Sequence, residues 1–182
     1  RHKHVLKKKC KPAETTQNKR TKSSNKINYV LLLKEKNIYM ILPIYLLGQP
    51  VLRKETENIT ADYPNLAELI DNMFQTMHNS DGIGLAAPQI GLAIRLFVID
   101  ATPMQEDFPE IETAKKVFIN PEIIDHSEET IAYEEGCLSV PGIHEKVTRP
   151  SEVTVHYFDE NFVEHTDKFT GFFARIVQHE YD

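Results

Sequence analysis

His179 and Glu180 stand side by side in GFFARIVQHEYD, the last stretch of the sequence. On a helix, such a pair is the first part of H-E-x-x-H. There two histidines four residues apart share one helix face and grip a metal, with the Glu as general base. The second histidine of that pattern would fall at position 183, one beyond Asp182. A bare His-Glu pair is most often solvated, so it needs support. Cys137, in EEGCLSVPG, is a second candidate. Thiolate and imidazole are both good ligands for zinc or ferrous iron, although a lone Cys in a turn is otherwise a small buried hydrophobe. The third candidate is GIGLAAPQ, residues 82–89. It lacks the Gly-Lys-Ser/Thr ending of a phosphate loop and does not follow an expected strand, which argues against a nucleotide site. Its glycines let a peptide backbone approach closely. The Gln89 amide can donate to a developing oxyanion; the plainer alternative is a tight loop with an exposed Gln.

Taken in order, GIGLAAPQ, EGCLS and QHEYD resemble the three signature segments of the peptide deformylase family, bacterial type. The resemblance runs from about Met40 to Asp182 and includes ILPIYLLGQPVLR and RPSEVTVHYFDENF. It implies an enzyme that hydrolyses the formyl group from the formyl-methionine of newly made polypeptides and releases formate. It also implies that Cys137 and His179 are two of three protein ligands, with the third at position 183. Ferrous iron is then the native metal, with Zn2+, Ni2+ or Co2+ as substitutes and a fourth position left for water. Glu180 would take the proton of that water and pass it to the departing amine. The Gln89 side chain and the Leu138 backbone N–H would stabilise the oxyanion. Gly84 would let the substrate pair along the loop like an added strand. Ile83 and Ile176 would contribute to a pocket for the methionine side chain. Arg175 is assigned to structure, as one helix turn is taken to point it away from the ligands.

The family's third segment continues to a second His and a helical tail, which the 182 residues do not include. A chain ending at Asp182 is therefore expected to bind metal weakly and deformylate poorly. In bacterial relatives that tail can contact the ribosome. Two other readings stay open. One is a zinc peptidase built on the same half motif, which would need neither a Cys ligand nor the GIGLAAPQ loop. The other is an inactive fragment or binding module in which Cys137, His179 and Glu180 are structural.

The elements that must position these residues follow from periodicity. In PNLAELIDNMFQTMHN (64–79), Leu66, Leu69, Ile70, Met73, Phe74 and Met77 share one helical face. Thr60 or Asp62 is expected to cap this helix, with Pro64 in its first turn. Residues 40–52 read as extended, with a turn at 48–50, and residues 82–91 as a loop. IRLFVID (94–100) reads as a strand, and KVFINPEII (116–124) as a second one broken at Pro121. EVTVHYF (152–158) and FVEHTD (162–167) read as a hairpin. Residues 171–182 read as a helix with Phe172, Phe173, Ile176 and Val177 on one side. This order predicts an α+β fold, a mostly antiparallel sheet around a metal-binding helix.

Charge divides the chain. Residues 1–39 hold 12 Lys or Arg and two acids, leaving nine basic and 25 acidic residues among the 143 that follow. The acidic part is a poor nucleic-acid binder. Residues 1–39 are expected to be a basic, disordered or non-native extension, with the domain opening at Met40; an organelle transit peptide or a ribosome-binding arm are the alternatives. Residues 40–182 form the expected catalytic domain, incomplete at its C-terminus. Ile38–Leu47 is apolar but contains Pro43 and is far shorter than the about 20 residues of a membrane span. The two cysteines form no disulfide framework, which suits a reducing compartment. The expectation is a cytoplasmic monomer acting on formyl-methionyl nascent peptides, without a membrane partner.

Overall fold

The computed structural model describes residues 39–111 and 114–182. The expectation for residues 1–39 therefore lies, apart from Tyr39, outside the described residues. Helix α1 spans Leu66–Asn79 and is followed by strands β1 (Gly84–Ala86) and β2 (Leu96–Asp100). Strands β3 (Lys115–His126), β4 (Thr130–Cys137), β5 (Val140–Pro150), β6 (Glu152–Phe158) and β7 (Glu164–Thr170) come next, then helix α2 (Gly171–Tyr181). The strands form a five-stranded sheet in the order β1-β2-β3-β6-β7 and a separate β4-β5 hairpin. Every ladder is antiparallel, in keeping with the α+β expectation.

Both faces of the sheet are covered, which explains the continuous apolar run of β2. Leu96 and Val98 pack with Ile70, Met73 and Met77 of α1. Phe97 and Ile99 turn to the other face, with Phe173, Ile176 and Val177 of α2. Helix α1 carries two buried polar residues that its apolar pattern did not announce. Asn72 Oδ1 accepts the Met40 N–H at 2.7 Å, and Thr76 Oγ1 accepts that of Leu42 at 2.9 Å. They satisfy the backbone of the 40–42 segment where it lies on the helix. Among the described residues no helix is long and apolar enough to cross a membrane.

Several expectations need correction. The segment read as extended over 40–52 turns at 47–48 and then forms a 3-10 turn, Pro50–Arg53. Neither Thr60 nor Asp62 caps α1, and Pro64 lies ahead of its first turn: Thr60 and Asp62 bond to each other in a preceding turn, and Asn65, left-handed at φ 54°, holds the N-cap position. Strand β3 is bent at Pro121 rather than broken. Its register shifts between Ile119 and Glu122, Asn120 has φ 49°, and pairing with β6 resumes to His126. Asn120 stabilises the bend by bonding both the N–H and the carbonyl of Ile59. The second strand of the last hairpin begins at Glu164 rather than 162, because Asp159 Oδ1 caps Asn161 and Val163 in the turn. Within residues 82–91, the expected loop contains β1 and a 3-10 turn, Ala87–Ile90.

Candidate metal and active site

Three segments far apart in sequence meet between the hairpin, the sheet edge and α2. Cys137 ends β4, where a register irregularity after Gly136 leaves Leu138–Ser139 as a two-residue turn and pairs Cys137 with Val140. His179 and Glu180 come from the last turn of α2. Gln89 sits in the 3-10 turn after β1 and is buried. Cys137 and His179 are in side-chain hydrogen-bond contact. Gln89 Nε2 lies 3.6 Å from Cys137 Sγ and 3.1 Å from Ser139 Oγ, while its Oε1 accepts the Ala86 N–H at 2.8 Å. That last bond fixes which way the amide faces, with its N–H groups toward the sulfur.

His179 is oriented from behind. Its Nδ1 is 2.8 Å from Glu135 Oε2, and Glu135 takes three further bonds. Arg149 Nε and Arg175 Nη1 each donate to Oε1 at 2.8 Å, and Arg149 Nη2 donates to Oε2 at 3.1 Å. Burial opposes ionisation of Glu135, but the bonds from Arg149, His179 and Arg175 outweigh it and hold the carboxyl at about 2. One buried guanidinium, Arg175, and one half-buried, Arg149, thus keep the Glu135 carboxylate charged, and that carboxylate holds one imidazole.

Charge within the site follows from these contacts. The hydrogen bond with Cys137 raises His179 to about 9, with burial opposing and Glu180 and Glu135 assisting. The same bond lowers the Cys137 thiol against the effect of burial. Desolvation pushes Glu180 up to about 7, with His179 opposing. Glu180 lies against β1: a Cβ built on Gly84 would come within 2.8 Å of Glu180 Cγ and closer still to its carboxylate. Only glycine leaves that space free.

A cavity of about 380 Å³ opens here, and every residue singled out above as catalytic, substrate-binding or metal-ligating lines it: Ile83, Gly84, Gln89, Cys137, Leu138, Ile176, His179 and Glu180. The sequence reading of Arg175 was wrong in its geometry. Residues 175 and 179 are four apart and share a helix face, so both reach Glu135. Glu135, Arg149 and Phe172 were missed. Glu135 is two residues before Cys137 in a strand, hence on the same face, but β4 itself had not been foreseen.

The donor chemistry fits a transition-metal ion. A thiol and an imidazole stand in contact, and the carboxylate on Nδ1 leaves Nε2 as the coordinating nitrogen, an arrangement found behind metal-bound histidines. These are two protein donors. Among the described residues no group of three His, Cys, Asp or Glu is placed to hold an ion.

Comparison with known proteins gives a consistent picture. The profile of the polypeptide deformylase family matches residues 41–182. Peptide deformylase from Flavobacterium johnsoniae is 51% identical over 150 residues, covering 79% of this chain and 76% of that protein. The Christiangramia forsetii peptide deformylase is 49% identical over 151 residues, with 79% and 76% covered. The crystal structure of Thermotoga maritima peptide deformylase matches with TM-score 0.71 and 36% identity, covering 79% of this chain and 91% of that one. A class I type b peptide deformylase from Acinetobacter baumannii with Met-Ala-Ser bound matches with TM-score 0.74 and 35% identity, covering 80% and 93%.

Proposed function

The chain belongs to the polypeptide deformylase family, and we propose that its site hydrolyses the N-formyl group of formyl-methionyl nascent peptides through the residues named above. The observation that carries this reading is the convergence of Cys137, His179, Glu180 and Gln89 on one cavity beside the edge strand β1. Family members are metalloenzymes. Cys137 Sγ and His179 Nε2 are the two protein ligands proposed here, with ferrous iron as the native ion, zinc, nickel or cobalt as substitutes, and position 183 as the third ligand. A divalent ion bound there supplies Lewis-acid chemistry, polarising the formyl carbonyl and making water acidic at neutral pH.

The chain's own residues do the rest. The substrate backbone pairs with the outer edge of β1 at Gly84, as an added strand would. Its methionine side chain enters the apolar part of the cavity beside Ile83 and Ile176. Glu180, tuned by burial to about 7, suits proton transfer near neutrality. It accepts a proton from water as the oxygen attacks the formyl carbon. The Gln89 amide and the Leu138 N–H donate to the carbonyl oxygen as it becomes an oxyanion. When the C–N bond breaks, Glu180 returns the proton to the leaving amine, giving formate and a free N-terminus. The protein is proposed to act as a cytoplasmic monomer, with any ribosome contact made by a segment beyond Asp182.

The test is product analysis with formyl-Met-Ala-Ser. Formate with intact Met-Ala-Ser supports deformylation. Cleavage at Met-Ala or Ala-Ser would instead support the zinc-peptidase reading.

A further inference from the structure

Phe172, near the start of α2, lines the cavity. The other side of its ring is covered by Phe108, from the segment between β2 and β3. The two rings stack almost parallel, with centroids 4.1 Å apart and planes at 8°. Tyr133 of β4 meets both edge-on, at 6.4 Å from Phe108 and 6.0 Å from Phe172. Arg175 stands over Tyr133, its Cζ 5.4 Å from the ring centroid. Phe172 is thus a thin wall, with the cavity on one side and an aromatic layer on the other.

Phe108 is held in place by its own segment. Its N–H bonds the Met104 carbonyl at 2.9 Å, and its carbonyl takes the Ile111 N–H at 3.1 Å. Gln105 Nε2 bonds the Ile111 carbonyl at 2.8 Å, and the Ile111 side chain is buried in the core. Glu110 lies beside the first residue of α2, its Oε1 3.2 Å from a Cβ built on Gly171. The segment therefore lies against the start of the helix, with the Phe108 ring stacked on Phe172.

We propose that Phe108, which does not itself line the cavity, sets the depth of the side-chain pocket by buttressing Phe172, and so determines how strictly the enzyme selects methionine over bulkier apolar residues. The proposal rests on the reading that this cavity receives the methionine side chain. Truncating the half-buried Phe108 removes the ring stacked flat on Phe172 and leaves Tyr133, which meets Phe172 only edge-on, as the aromatic support on that side. Phe172 then loses its parallel-stacked partner and gains room to tilt away from the cavity, since surroundings refill such space only partly. The pocket then lengthens along the direction a larger side chain needs. Discrimination by an apolar pocket is modest per group, roughly 10–200-fold for a methylene, so a shift in the wall is readable.

The experiment uses the metal-loaded, full-length protein, including position 183, and its Phe108→Ala and Phe108→Leu variants. It measures kcat/KM for formyl-Met-Ala-Ser and formyl-Phe-Ala-Ser. In parallel, calorimetry measures binding of the products Met-Ala-Ser and Phe-Ala-Ser. The proposal expects the Met-to-Phe ratio to fall about tenfold in Phe108→Ala, with Phe108→Leu in between and the binding ratio moving the same way. Equal losses for both peptides, or unchanged ratios, would overturn it, since they describe a segment that only stabilises the fold. Wild-type protein that binds both products but releases no formate would sink the deformylase reading while leaving the pocket measurement intact. Wild-type protein that binds neither product overturns the proposal.

Discussion

Glu135 Oε2 lies 2.8 Å from His179 Nδ1, and the remaining capacity of that carboxylate is filled by Arg149 and Arg175. The Glu135 and Arg175 side chains are 9% and 5% exposed. Removing one member of a buried pair costs about 3–5 kcal/mol, because the partner charges stay behind. Glu135→Ala should therefore destabilise the protein by about that much in urea unfolding. In the milder Glu135→Gln, metal affinity should fall roughly 10–100-fold, as for other groups behind a metal-bound histidine. Unchanged metal affinity in Glu135→Gln would mean that His179 is not held for coordination.

Gly84→Ala should keep the fold and lose turnover. The added methyl meets the Glu180 carboxylate, and a misplacement near 1 Å can cost roughly 10²-fold in rate. Metal content and thermal stability should stay close to wild type while kcat falls. A fully active Gly84→Ala protein would show that Glu180 has another working position.

Gln89→Ala should lower kcat by roughly 10²–10³, the usual cost of one oxyanion donor, with KM changing little. The comparison to make is steady-state kinetics on formyl-Met-Ala-Ser. A change confined to KM would reassign Gln89 to ground-state binding.

A carboxylate outside the cavity lining, Asp100 at the end of β2, contributes to acid stability. Burial works against ionisation of Asp100, but bonds from the Thr102 hydroxyl and N–H and from His78 outweigh it and keep its pKa below the ordinary 3.8. A carboxylate lowered in the folded state contributes stability that is fully present above its unfolded pKa and is lost as pH falls through the folded value. Asp100→Asn should therefore lower stability at neutral pH and flatten its decline below about pH 4. Urea midpoints across that range provide the check. A decline of unchanged steepness in Asp100→Asn would remove Asp100 from the account.

Legibility in the sequence tracked burial. Helix α1 was readable because its core-facing positions recur at a helical period, and strand β2 because burial of both its faces gives a continuous apolar run. The β4-β5 hairpin was not, because nearly all its residues are exposed or half-buried and no alternation marks it. That gap hid Glu135 and Arg149, so the support behind His179 went unseen although Cys137, the ligand proposed beside it, was picked out. Asn72 and Thr76 were missed for another reason. Their partners, the N–H groups of Met40 and Leu42, are more than 30 residues away in the chain, and no local pattern encodes that contact. Arg175 was visible but misjudged, since a four-residue step returns to the same helix face.

The central claim is that Cys137 binds the metal while Glu180 moves the proton, and one paired measurement separates these roles. Metal content by elemental analysis and formate release from formyl-Met-Ala-Ser would be recorded, oxygen-free and under reducing conditions, for the native protein, Cys137→Ala and Glu180→Gln. The account predicts that Cys137→Ala loses the metal, and activity with it. Glu180→Gln should retain the metal and lose most turnover, because an amide cannot accept the proton. Full metal occupancy in Cys137→Ala, or full activity in Glu180→Gln, would contradict it.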